Sequence, residues 1–131
     1  MKALLPPGWP RPKGYSNGIL AEGRTIFTAG VVGWDEHERF VADDLCGQLE
    51  QVFKNIRAIL AEGGAGPEHI VRMTWYVTDC SEYVRSQARI GQVYREQIGK
   101  NYPAMAVVEV SRLVEARAKV EIEAIAVIPS T

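Results

Sequence analysis

The run of strand-forming residues at positions 120–128 limits the fold of this chain more than any other stretch. Side chains alternate between the two faces of a strand, so one face here is wholly apolar, with Val120, Ile122, Ala124, Ala126 and Ile128. The other face is half acidic and half apolar, with Glu121, Glu123, Ile125 and Val127. Such a strand is typical of the middle of a sheet whose second face is covered by something other than water. In a small protein that cover is often another subunit.

Residues 104–111 form a second run of the same mixed character. A strand there places Ala104, Ala106, Val108 and Val110 on one face and Met105, Val107, Glu109 and Ser111 on the other. A carboxylate on a covered face is costly unless it is paired, hydrogen-bonded or used in chemistry. We expect Glu109 and Glu123 to reach the sheet edge or to pair with Arg112, Arg117 or Lys119. For Glu121, a structural hydrogen bond and a role in a site are equally good interpretations.

Length and charge exclude several classes of function. The 131 residues are 47% hydrophobic, which predicts one domain over residues 1–131 with a proper core. Lysine and arginine total 15 against 16 acidic residues, so nucleic acid is not an expected partner. The two cysteines and two histidines lack metal-ligand spacing, so no metal site is expected.

The N-terminal segment 1–13 is rich in proline, with Pro6, Pro7, Pro10 and Pro12. Proline is excluded from helix interiors and central strands, so we expect an extended arm on the domain surface, anchored by Trp9. The segment lacks the build of a signal peptide or a membrane span. These features predict a cytoplasmic protein with no membrane partner.

The remaining elements follow from periodicity and from turn residues. Strands at 19–21 and 24–29, joined by a tight Glu22-Gly23 turn, predict a hairpin, and a short strand follows near 39–41. Gly30 and Gly33 mark a bulge or a close approach to the backbone. A helix capped by Asp43 or Asp44 runs to Gly63, and a second one, capped by Asp79 or Ser81, runs from the end of a long strand at 69–78 to Gly99. This order predicts an α+β domain with a mixed sheet under two helices.

At this point the chain resembles the Rid family, also called YjgF or L-PSP endoribonuclease-like. The resemblance rests on Val120–Val127, on Tyr102-Pro103-Ala104 and on Val77-Thr78-Asp79, and it extends from about Gly14 to Val127. It implies a chorismate-mutase-like fold and a homotrimer with small-molecule pockets at the subunit interfaces. It also implies hydrolysis of reactive enamines and imines with release of ammonia, without a cofactor.

One departure from the family pattern bears on the substrate. Deaminases of the family carry, directly after Pro-Ala, an arginine that binds the substrate carboxylate, and this chain has Met105 there. A thioether cannot replace a charge-assisted pair worth roughly 1.5–3 kcal/mol. The resemblance therefore implies a divergent hydrolase whose substrate is not a simple 2-imino acid. The alternative is a trimer that binds a small molecule without turnover, and an endoribonuclease is a weaker alternative.

The resemblance also implies which residues form the pocket. Glu121 matches an acid that positions water, and Tyr15 matches a tyrosine suited to hydrogen-bonding the leaving nitrogen. The implied substrate-binding positions are Ala29, Gly30, Gly91, Met105 and Val107. To these we add Trp34, because it lies in a glycine-flanked loop; Trp75 and Tyr102 are equally well explained as core or interface residues.

The Met105 departure can be tested with imino acids that an amino-acid oxidase generates in situ. We expect the wild-type protein to hydrolyse small 2-imino acids poorly and Met105→Arg to hydrolyse them faster, since the mutation restores a cation at the matching position. Competition with semicarbazide measures the rate for both proteins. Fast hydrolysis by the wild-type protein would show that another group holds the carboxylate.

Overall fold

The computed structural model describes residues 1–130, in which a five-stranded mixed sheet packs against helices. In chain order the elements are β1 Lys2–Ala3, β2 Ile19–Leu20, β3 Gly23–Phe27, β4 Val31–Val32, α1 Leu45–Glu62, β5 Ile70–Val77, α2 Cys80–Arg85, α3 Gln87–Gln97, β6 Ala104–Glu109 and β7 Val120–Pro129. A single 3₁₀ turn, Pro67–His69, precedes β5. The predicted α+β class with a mixed sheet is confirmed.

β7 is the strand on which the sheet is built. The strand order is β3-β7-β5-β6, and β4 pairs with the first half of β7 on the same edge as β3. β7 runs antiparallel to β3, β4 and β5, whereas β5 and β6 are parallel. The central position predicted for residues 120–128 is therefore correct.

One face of the sheet is covered by helices and forms the core. Four of the predicted inward residues of β7, Val120, Ile122, Ala124 and Ala126, are at most 1% exposed. They belong to one cluster with Leu49, Phe53 and Ile56 of α1, which recur at helical spacing. The Asp44 carboxylate caps α1 by accepting from the Gly47 N–H at 3.2 Å, and the helix ends at Gly63.

The opposite face, here called the open face, carries Phe27, Thr74, Tyr76, Ala106, Val108, Glu121 and Glu123. Within residues 1–130 no helix covers it, and Phe27 and Val108 are 71% and 42% exposed. Glu123 accepts a 2.9 Å hydrogen bond from the Tyr76 hydroxyl, which raises the pKa of Tyr76. The open face thus keeps the mixed apolar and acidic character seen in the sequence.

Of the two outcomes expected for Glu109 and Glu123, the sheet edge and the ion pair, the ion pair does not occur within residues 1–130, and Glu109 lies on the edge strand β6. Glu109 accepts a 2.8 Å hydrogen bond from the Cys80 N–H, at the start of α2, where free backbone donors favour a carboxylate. Two of the cations proposed as partners are instead bound to acids closer to them. Arg117 pairs with Asp43 and Lys119 with Glu82.

The predicted hairpin at residues 19–29 is also wrong, because its two strands have different partners. β2 pairs with β1, whereas β3 pairs with the end of β7. Gly23, at φ +147°, lies so close to β7 that a Cβ atom there would come within 2.0 Å of the Ile128 carbonyl oxygen. Glycine is needed at this position because β7 passes close to its backbone. A hairpin turn would also favour glycine, so the local sequence does not distinguish the two cases.

Three smaller expectations change in the structure. Trp9 is 59% exposed, so it does not anchor the arm, which is held by the backbone pairing of β1 with β2. The short strand near 39–41 is one bridge, between Trp34 and Phe40. The second helix is divided at Ser86, whose ψ of 13° lies outside the helical range.

Gln48 joins α1 to the loop that leads into β7. Its side chain is 1% exposed, and its amide nitrogen donates to the carbonyls of Ala42 and Arg117 at 3.1 and 2.9 Å. Its amide oxygen accepts from the Lys119 N–H at 2.8 Å. One buried side chain therefore forms hydrogen bonds with three backbone groups of loop residues, which have no partner in a helix or a strand.

We expect Gln48→Leu to lower the free energy of unfolding by roughly 2–5 kcal/mol, since it leaves buried backbone groups without partners. Urea denaturation at one fixed protein concentration measures the change. Gln92→Leu, at an exposed position of α3, is the matched control and should have little effect. Equal stability of the two variants would contradict this account of Gln48.

Candidate functional site

A cavity of about 470 Å³ lies between the helix-covered side of β5 and β6, the α2–α3 layer and the segment that precedes β2. The sheet contributes Trp75, Met105 and Val107, and α3 contributes Gly91 and Tyr94. Four residues that sequence analysis assigned to a site, Tyr15, Gly91, Met105 and Val107, meet here. Trp75 and Tyr102 also line this cavity, so they are wall residues as well as packed ones.

Backbone hydrogen bonds hold Tyr15 at this cavity. The neighbouring Ser16 donates from its N–H to the Pro103 carbonyl at 3.0 Å and from its Oγ to the Tyr102 carbonyl at 2.6 Å. The start of β6 is fixed in turn by Asn101, whose side chain donates to the Pro67 and Ile70 carbonyls. Tyr15 itself is 41% exposed, which leaves its hydroxyl accessible at the rim.

Aromatic rings make up much of the cavity wall. Tyr94 and Tyr102 stack at 5.6 Å with an interplanar angle of 11°, and Trp75 meets Tyr83 edge to face at 6.1 Å. Burial raises the pKa of Tyr94, whose hydroxyl donates to the Asn101 carbonyl. The indole Nε1 of Trp75 is buried and lacks a hydrogen-bond partner among residues 1–130. The rings thus give the wall flat surfaces, and the buried Trp75 Nε1 is a donor without a partner in that range.

The charges of the wall are all positive. Lys13 and Arg95 line the cavity, and no acidic residue does. In the part of the chain that the structure describes, neither cation forms a salt bridge or a side-chain hydrogen bond. Sequence analysis did not select Arg95. The available signal was its position one helical turn after Gly91, which puts both on the same side of α3.

The other predicted site residues form a separate group on the open face. Glu121 lies between β4 and β5, paired in register with Val32 and Tyr76. Its carboxylate lies over Gly30, where a Cβ atom would come within 2.1 Å of Glu121 Oε2. The predicted close approach to the Gly30 backbone is therefore present, and Ala29 directly precedes it.

The sheet separates these two groups within one chain. Met105 packs into the helix-covered core, whereas Glu121 stands beside Tyr76 on the open face. The two side chains cannot reach one ligand from the same subunit unless that ligand passes around the sheet. Within one chain, the two groups therefore belong to different surfaces of the sheet.

Trp34 belongs to neither group. Its ring packs against Phe40 at 5.9 Å, and its carbonyl accepts from the Asn55 amide at 2.7 Å. Its assignment as a ligand contact stays a prediction.

The described residues were also searched for metal and membrane features. Residues 1–130 contain no group of three or more His, Cys, Asp or Glu side chains placed to hold a metal ion. Over the same residues, every helix is too short or too polar to cross a membrane.

Comparisons with known proteins agree with this geometry. The family model described as Endoribonuclease L-PSP matches residues 10–128. A RutC family protein of Pyrococcus abyssi is 37% identical over 118 residues, which is 89% of this chain and 89% of that protein. A 2-iminobutanoate/2-iminopropanoate deaminase of Salmonella typhimurium is 33% identical over 105 residues, 80% of each chain.

A solved structure gives the same result for the fold. The crystal structure of a Rid-family protein of unknown function from Yersinia pestis has a TM-score of 0.85 and 29% identity, and the match covers 97% of this chain and 98% of that one. The predicted chorismate-mutase-like (YjgF-like) fold is thereby confirmed. The family-model match, the sequence relatives and the shared fold show that this chain belongs to the Rid (YjgF, endoribonuclease L-PSP) family.

Proposed function

We propose that this protein hydrolyses small reactive enamines or imines and releases ammonia, in a pocket that a second copy of the chain completes. The observation that carries the proposal is the division of the site, with Tyr15, Met105 and Val107 at the cavity and Glu121 on the open face. The deaminase name of the Salmonella typhimurium relative supports the reaction class.

The assembly in this proposal is a homotrimer of one-domain subunits in the cytoplasm. Exposed apolar residues on the open face, such as Phe27 and Val108, support burial against another copy. A trimer that covers this face would also remove the acids of β7 from bulk water. Glu121 could then face the cavity of the neighbouring subunit.

Hydrolysis of an imine requires a water nucleophile and proton transfer to the nitrogen atom. An enamine first takes a proton on carbon to become an imine. Water then adds to the C=N carbon while Glu121 accepts its proton, and the nitrogen, hydrogen-bonded by Tyr15, is protonated and leaves as ammonia. The C=O bond forms as the C–N bond breaks, so imine and water give a ketone and ammonia without redox change or a cofactor.

Binding without turnover is the second candidate function. The observation that favours it is the wall of stacked and crossed rings, which suits retention of a flat ligand. Cleavage of RNA is less well supported, because the net charge is −1 and no basic run occurs.

We expect light scattering to give the mass of a trimer at micromolar concentration. Ala106→Glu should lower that mass, because it adds a charge to the open face between Thr74 and the edge of the sheet. Val84→Glu is the matched control on α2, where the side chain is 67% exposed, and should leave the mass unchanged. A folded wild-type monomer would remove the shared pocket.

We expect Glu121→Gln to lower kcat for imine hydrolysis by about 10²–10⁴ with a smaller change in KM, because the amide cannot accept the proton of water. Glu123→Gln, two residues along the same face, is the control and should keep most of the activity. Ammonia release measured against semicarbazide trapping gives both constants. RNA cleavage that co-purifies with the trimer and disappears in Glu121→Gln would support the nuclease alternative instead.

A further inference from the structure

Neither cation of the cavity has an acidic partner within residues 1–130, which is also true of most other lysines and arginines there. Arg89, on the same helix, lies 3.4 Å from the Asp44 carboxylate, and Arg117 lies 2.6 Å from that of Asp43. Within residues 1–130 Arg95 has no such acid, and its exposed side chain lines a cavity in which five of the thirteen lining residues are aromatic. A guanidinium beside low-dielectric walls is best satisfied by an anion that accepts two parallel hydrogen bonds.

The guanidinium of Arg95 lies close to the backbone of Gly91. The two residues are one helical turn apart, and a Cβ atom at position 91 would come within 3.1 Å of Arg95 Nη1. The arginine side chain therefore folds back over the bare backbone of α3, at the point where both residues line the cavity. A Cβ atom at position 91 would make the guanidinium shift by a few tenths of an ångström.

The walls around Arg95 favour a planar group. Five of the lining residues are aromatic, Tyr15, Trp75, Tyr83, Tyr94 and Tyr102. The cavity volume of about 470 Å³ is large enough for a ligand that carries a ring. An imine of three or four carbons would leave much of this volume empty. Rings of this kind stack on flat ligands and exclude water from a nearby ion pair.

We propose that Arg95, assisted by Lys13, is the anion anchor of this cavity and that its ligand is a carboxylate bearing a planar aromatic group. The proposal rests on the proposed function, since it names the substrate class as 2-imino acids with aromatic side chains. In the family pattern the cation follows Pro-Ala on a strand. Here it comes from α3 on the opposite wall, while Met105 supplies apolar surface.

Binding can be measured without turnover, using stable ketones in place of the imine. Titration calorimetry with phenylpyruvate, which has both ring and carboxylate, should give saturable binding to the wild-type protein. Phenylacetone keeps the ring without the carboxylate, and pyruvate keeps the carboxylate without the ring. Each should bind about tenfold or more weakly. Higher salt should weaken phenylpyruvate binding and leave that of phenylacetone unchanged.

Variants identify the anchor. Arg95→Met should weaken phenylpyruvate about tenfold to a hundredfold and leave phenylacetone unchanged. Arg89→Met, which removes a cation from the same helix outside the cavity, is the matched control. Adding Met105→Arg to Arg95→Met should recover part of the lost affinity, because a cation returns to the same cavity.

The results separate this proposal from the proposed function. Loss of phenylpyruvate affinity in Arg95→Met supports the anchor even if no imine is hydrolysed, in which case only the hydrolase assignment fails. Equal affinity of Arg95→Met and wild type for phenylpyruvate would overturn the anchor even if imines are hydrolysed. Phenylacetone binding as tightly as phenylpyruvate, or no saturation by phenylpyruvate, would overturn it as well.

Discussion

The burial of one face of β7 is the interaction on which the rest of the structure depends. Val120, Ile122 and Ala124 are removed from water by α1, and hydrophobic burial at this density is the main source of stability in a domain of this size. Because side chains alternate, the same packing fixes Glu121 and Glu123 on the opposite face. The position of the acids is therefore a consequence of the core, and a register shift of one residue would exchange the two sets.

The cavity depends on the same sheet through β5 and β6. Met105 and Val107 pack against the core and also line the cavity, so the floor of the site is part of the packed sheet. The segment around Tyr15 lies outside the main sheet. Hydrogen bonds from Ser16 to residues 102 and 103 hold this segment against the start of β6. Function placed on rigid strands and closed by a tethered loop is a common arrangement for small-molecule sites.

Sequence reasoning succeeded where a pattern has one physical cause. The alternation in residues 120–128 has only the strand as its explanation, and the helical spacing ahead of Gly63 has only an amphipathic helix. It failed where one residue type serves two purposes. Gly23 looked like a hairpin turn and is a close contact with β7. For Glu109 the sequence left the sheet edge and an ion pair open, and the carboxylate lies on the edge strand and binds the start of α2. Arg95 was missed because an exposed arginine on a helix is ordinary until the cavity beside it is seen.

The proposed Arg95 anchor would place the cation on a helix and not on a strand, and this would change how a ligand is selected. An arginine at position 105 would rise from the cavity floor and fill space that a large side chain of the ligand needs. With methionine there, the floor is apolar, and the charge of Arg95 lies on the α3 wall over Gly91. A carboxylate held at that wall directs the rest of the ligand across the cavity toward the stacked pair of Tyr94 and Tyr102. The proposed hydrolysis could then act on a larger, flatter substrate, because this arrangement would alter recognition without changing the proposed roles of Tyr15 and Glu121.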